Sequence, residues 1–234
     1  KIFFPYYFGG QKSIFNTDAV ESIELLTGGF SAAYGNHMSS VLNIQTRDGN
    51  FENYAGNLSI GFYNAAALFE GPIVKEKLSM LIGLRRTYLD LFLDETAEFP
   101  VPSLSDVTYK FSYQINSRNK LTLSGLSSDE SINFVTADSS QQEGLPNKIV
   151  TAGTNHFQSL QYKSSMGDKS FNKLSLTNSL NKNTSQIGRN VGLTVDYTQI
   201  GMRNDFNYYL SNRHKLKAGI PVSYTHLTLP TTYH

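Results

Sequence analysis

Along much of this chain every second residue is apolar. Val107, Tyr109, Phe111, Tyr113 and Ile115 alternate with Thr108, Lys110, Ser112 and Gln114. Leu174, Leu176 and Leu180 alternate with Lys173, Ser175, Thr177 and Ser179, and Leu58, Ile60 and Phe62 with Asn57 and Ser59. Leu216, Ala218 and Ile220 do the same against Lys215 and Lys217. A period of two places alternate side chains on opposite faces of a strand, so this patterning predicts strands with one apolar and one polar face. Residues 191–210 carry no turn signal strong enough to divide them. Their apolar parity changes between Tyr197 and Ile200, which predicts a long strand with a bulge at that point.

The connections alternate in length. Short polar turns are expected at 71–77, 116–119, 166–170 and 211–213, and longer connections at 91–105 and 135–153. Short turns on one side and long loops on the other mark transmembrane β-barrels of the outer-membrane kind, in which the short turns are periplasmic. The first strand would rise from Ala55 to about Tyr63, turn near Asn64 and descend to Gly71. Roughly nine strands follow by this reading, ending near Ile220. The expected fold is therefore all-β: a partial transmembrane antiparallel β-barrel of about nine strands, part of a larger one. Barrels with a plugged lumen run to about 22 strands. An open sheet of this size would leave two unpaired edges and a bare apolar face in water.

Composition changes this picture little. The 234 residues carry a net charge of +1, 39% hydrophobic residues and no cysteine. Near-neutral charge gives no electrostatic case for nucleic acid. Lack of cysteine excludes a disulfide scaffold and a thiolate metal site. No apolar run approaches the length of a membrane helix, but barrel strands escape that test because only alternate residues face lipid. Fourteen tyrosines and fifteen phenylalanines suit interfacial girdles as well as any β-rich core.

Residues 16–50 break the alternation. Asn16 and Asp18 are good caps for one helical turn. Val20, Ile23, Leu25 and Leu26 then read as a strand, and Val41, Leu42 and Ile44 as a second, closed by Asp48-Gly49-Asn50. Between them Gly28-Gly29 and Gly35-Asn36 bracket Phe30 and Tyr34 at places suited to positive φ. On residue types alone this is a β-turn-β unit of any mixed domain.

The order of these residues is more specific. Gly28, Gly29, Phe30, Ala32, Tyr34, Gly35, Ser39, Ser40 and Val41, followed by Asn43, Ile44, Thr46, Asp48 and Gly49, resemble the end of the plug domain of TonB-dependent outer-membrane receptors. Glu70-Gly71-Pro72-Ile73 and the run from Arg85 to Asp90 look like that family's first periplasmic turn and the strand after it. Asn36 replaces a usual glycine, and Thr17 stands where proline is common. The resemblance covers roughly residues 8–135. It implies the C-terminal end of a small α+β plug domain over residues 1–50, and the N-terminal part of an outer-membrane β-barrel over 51–220. It further implies energised uptake of a scarce nutrient such as a siderophore, vitamin, glycan or peptide, in a Gram-negative outer membrane. The implied partners are TonB with its inner-membrane complex, outer-membrane lipid and a surface lipoprotein. Gly28 and Gly29 would form a bend that lets the plug approach the barrel wall. Phe30, Tyr34, Gly35, Ser39 and Ser40 would shape the loop beside it.

No catalytic constellation is found, so an enzyme is not expected. His37, His156, His214, His226 and His234 share no metal-ligand spacing, and no cofactor motif occurs. Asp94, Glu95 and Glu98 form an acidic loop that reads best as solvated. Arg85 and Arg86 are candidates for contact between lumen and plug, and only one can reach it, because neighbours on a strand face opposite ways. A passive porin-like or structural barrel remains an alternative, as does a soluble β-rich carbohydrate-binding domain. The chain reads as a fragment, beginning at Lys1 without a signal peptide. Its last residues, 221–234, depart from the barrel pattern and resemble translated adapter sequence, so they are read as a non-native tail.

Overall fold

The computed structural model describes residues 6–7, 12–28, 40–92, 101–135, 148–187, 191–211 and 213–228. Two short strand pairs come first. β1 (Tyr6–Tyr7) pairs with β2 (Lys12–Ser13), and β3 (Val20–Leu26) with β4 (Val41–Thr46), both antiparallel. A 3-10 turn at Thr17–Ala19 precedes β3, with the Asn16 side chain accepting from the Asp18 backbone N–H. Among the described residues there is no α-helix, and before residue 50 they hold this one 3-10 turn. Among the described residues no helix is long and apolar enough to cross a membrane.

Nine strands then form one antiparallel sheet in chain order. They are β5 (Ala55–Ile60), β6 (Asn64–Val74), β7 (Leu78–Thr87), β8 (Val101–Asn116), β9 (Asn119–Val135), β10 (Lys148–Ser165), β11 (Ser170–Ile187), β12 (Val191–Tyr209) and β13 (Lys215–Thr228). β5 and β13 are the edges, and no pairing joins them among the described residues. The fold is all-β, and among the described residues the sheet does not close on itself.

The alternation of the sequence becomes two chemically distinct faces. Directly paired residues share a face, so one row runs Met80, Phe111, Leu123, Leu160, Leu176, Met202 and Val222. The next row runs Ser79, Ser112, Thr122, Gln161, Ser175 and Arg203 on the other face. Exposure follows the reverse of the order expected in water: Leu176 is 42% exposed and Ser175 only 9%. The apolar band gives way, toward the long-loop end, to Arg86, Ser105, Asp129, Thr154, Lys182 and Asp196.

Several boundaries differ from expectation. β12 pairs with β11 and β13 without a register shift, so the expected bulge is not there. Val195 and Tyr197 instead fall on the polar face, opposite Asn183 and Asn181. The parity change records a change in what each face carries, and the backbone stays regular. β8 begins at Val101 and β10 at Lys148, because both strands extend into stretches whose composition resembles loop. β11 ends at Ile187 and β12 begins at Val191. β13 continues past Ile220 to Thr228, every residue exposed, with Pro221 opposite Arg203. Proline lacks a donor, and an edge strand tolerates that.

Candidate functional site

The polar face is not uniformly polar. Leu68, Leu81, Leu104, Leu126 and Phe157 interrupt it, and these are the positions on which the N-terminal segment rests. Ala19 packs with Leu68 and Leu81, while Tyr7 and Ile14 pack with Leu104 and Leu126, flanked by Phe15 and Phe157. Tyr7, Ile14, Leu81 and Leu104 are essentially inaccessible to solvent. Each such apolar side chain contributes about 1.5–3 kcal/mol when removed from water. Burial, then the nearby Asp106 carboxylate, pushes the Tyr7 phenol above its ordinary pKa.

Charge fixes the segment between and beyond these contacts. The Arg85 guanidinium donates to Asp106 at 2.7 Å and to the backbone carbonyls of Ser13 at 3.0 Å and Ile14 at 3.2 Å. Both side chains of this ion pair are nearly buried. Arg47 bonds Glu70 through Nη1 and the Asp18 carbonyl through Nε, and the Asn50 N–H donates to the same Glu70 oxygen.

The densest cluster surrounds Asp48. One carboxylate oxygen accepts from Ser112 Oγ at 2.7 Å and faces Lys110 Nζ at 3.0 Å, and the other pairs with Lys120. Lys110 also donates to the Thr46 carbonyl at 2.6 Å. Burial alone would raise the Asp48 pKa. The bonds from Lys120, Ser112 and Lys110 outweigh it and hold the carboxyl down to about 2. Gly49 follows directly. A Cβ there would fall on the Met80 carbonyl, so the chain reaches the sheet only because this residue has no side chain.

The residues singled out in the sequence distribute unevenly. Arg85 faces the N-terminal segment, while Arg86 lies on the opposite face and pairs with Asp90 at 3.1 Å. Gly28 is exposed, and a Cβ on it would meet no described atom within 4 Å, whereas Gly49 approaches the sheet closely. Ser40 is exposed at the entrance to β4. Gly29, Phe30, Tyr34, Gly35 and Ser39 lie outside the described residues. Asp48, Lys110, Lys120, Tyr7 and Ile14 escaped the sequence reading. Leu68, Leu81, Leu104, Leu126 and Phe157, apolar on a polar face, carried the available signal.

The arrangement offers a docking surface: apolar footprints, a buried ion pair and a carboxylate cradle that together fasten one segment against a sheet. Comparison with protein-family models, with curated proteins and with solved structures found no match.

Proposed function

We propose that this chain is part of an outer-membrane receptor of the TonB-dependent kind. On this reading β5–β12 and β13 as far as Ile220 form part of its transmembrane wall, and residues 1–50 form the end of its plug. The observation that carries the reading is the inversion of the two faces. A row of large apolar side chains stands exposed while the face rich in serine, threonine and asparagine is the one a second layer covers. In water that arrangement is unfavourable, since large exposed apolar patches associate. In a bilayer it is the required one, because lipid solvates the outer face and every strand bond is made within the wall. Tyr113, Tyr162, Phe206 and Tyr208 stand near the short-turn end of the apolar face, where aromatic girdles sit at the lipid–water boundary.

The polar, ion-paired contact between segment and sheet suits a plug that must shift without disturbing the wall. Charged contacts can be exchanged for water, whereas a wholly apolar interface would resist parting. The function that follows is energised uptake of a scarce nutrient, driven by a pull from TonB.

The test is cysteine labelling of the protein in fractionated cells. Cysteine in place of Leu176 is expected to react with a lipid-confined maleimide, and cysteine in place of Ser175 only with a small aqueous one. The protein is expected in the outer-membrane fraction. Recovery in the soluble fraction, with cysteine at 176 open to aqueous reagent, would remove the reading.

A further inference from the structure

The Asp48 cradle has a neighbour built from the same parts. Lys120 belongs to a row that continues directly to Lys163 and Lys173, each opposite the next across β9, β10 and β11. Like charges directly opposite each other in a sheet are destabilising. At Lys120 the conflict is relieved by Asp48. Neither Lys163 nor Lys173 has an ion pair with a carboxylate among the described residues. Asp205, opposite Lys173, is held in a two-oxygen contact by Arg203 at 2.9 and 2.8 Å. Lys163, Arg203 and Asp205 all lie within electrostatic range of Lys173.

The donors around the gap repeat those around Asp48. There, two lysines and one serine hydroxyl receive the carboxylate. Here Lys163 and Lys173 are joined by Ser175 and Gln161, which occupy the next row on the same face. Counting Lys163, Lys173 and Arg203 against Asp205, the patch carries an excess of two positive charges. Both lysines are half-buried, which strengthens their pull on an anion and their repulsion for one another.

We propose that Lys163, Lys173, Ser175 and Gln161 form a second carboxylate-docking site, occupied by an acidic peptide segment lying on the polar face beside residues 46–50. Continuity with the Asp48 cradle argues for a peptide carboxylate, because that is the group the first site holds. The occupant we propose is not the acidic 93–100 connection, on grounds of chain length. That connection precedes Val101, at the far end of β8 from Gln114, which shares the row of Lys120. Eight residues span about 27 Å, against about 40 Å along that strand. The inference goes beyond the membrane reading and rests on the sheet and the Asp48 cradle.

The test is competition labelling of the purified full chain with an acetylating reagent, read by mass spectrometry, with an oligo-glutamate peptide as probe. The peptide is expected to slow acetylation of Lys163 and Lys173 about tenfold, leaving the exposed Lys215 and Lys217 unchanged. In Lys173→Gln the protection of Lys163 is expected to vanish. Equal protection by inorganic phosphate would assign the site to a small anion and overturn the peptide. Equal protection at Lys215 and Lys217 would reduce the effect to nonspecific charge. No protection at all would remove the site. Rapid labelling of Lys110 and Lys120 without peptide would remove the cradle from which the argument starts. None of these outcomes depends on where the protein fractionates, so the membrane reading stands or falls separately.

Discussion

Ser175 and Leu176 are neighbours in the chain and opposites in environment. The hydroxyl is 9% exposed on a face that elsewhere receives a second layer, and the leucine is 42% exposed on a face that nothing described covers. In a soluble sandwich the leucine side would be the inner one. The comparison teaches that Tyr7, Ile14, Ala19 and residues 46–50 are held by a polar surface, through apolar islands and ion pairs, while nothing described covers the apolar surface. Both faces are open to attack by substitution, and the expected effects differ in size and in sign.

The largest effect is expected on the polar face at Asp106. Removing its carboxylate leaves the Arg85 guanidinium buried with two backbone carbonyls and the Tyr7 ring, 5.7 Å away, but no counter-charge. Breaking such a pair costs about 3–5 kcal/mol, because the remaining charge is uncompensated. Asp106→Ala is therefore expected to lower the urea midpoint of the chain refolded in detergent micelles. Arg85→Met with Asp106→Leu is expected to recover much of the loss, since an apolar pair of similar volume leaves no stranded charge. An unchanged midpoint in Asp106→Ala would mean that Arg85 is solvated and the segment is not docked over it.

Next in size is Gly49→Val. The added carbons would meet backbone atoms of Met80 and Leu81, which cannot turn aside as a side chain can. Overpacking of this kind costs about 1–3 kcal/mol. Because the strain falls on the docking of residues 46–50, the expected readout is local. Proteolysis between residues 29 and 50 should accelerate while the sheet keeps its amide protection. Gly28→Val, where no described atom is near, is expected to change neither.

Asp48→Asn is smaller and carries a pH signature. The carboxyl is held at about 2 against an ordinary value of 3.8. Its contribution is therefore full above about pH 4 and is lost as the pH falls through about 2. With the side chain 30% exposed, partial screening leaves about 1–2 kcal/mol. Docking of the segment in the parent chain should weaken between about pH 4 and pH 2, and Asp48→Asn should remove that part of the pH dependence. The same slope in both chains would locate it in another carboxylate.

The sheet was largely legible in the sequence. Period-two runs such as Val107–Ile115 identify strands and sort their faces, and the short turns near 116–119, 166–170 and 211–213 fall where polar, turn-forming residues cluster. The docking was not legible. Asp48-Gly49 has the chemistry of a turn, and the lysines that receive it are 62 and 72 residues away. Nothing local connects them. Leu68, Leu81, Leu104, Leu126 and Phe157 look like lapses in alternation until the segment that covers them is in place. The parity change in residues 195–200 is ambiguous for a related reason: a bulge and a change of surroundings give the same one-dimensional pattern.

The smallest effect is the most discriminating, and it lies on the apolar face. Gln158 and Asn178 stand directly opposite each other in that face, one row from the leucines at 160 and 176. In lipid, two amides facing hydrocarbon are costly, even where they bond to each other. Gln158→Leu with Asn178→Leu should then raise the stability of the chain in phosphocholine vesicles by about 1 kcal/mol. In water the same pair adds exposed apolar surface and should promote association without stabilising the fold. A gain in vesicles supports lipid on this face. A loss there, because the amides were bonding to water or to a covering layer, would place an aqueous or protein partner where the bilayer is proposed.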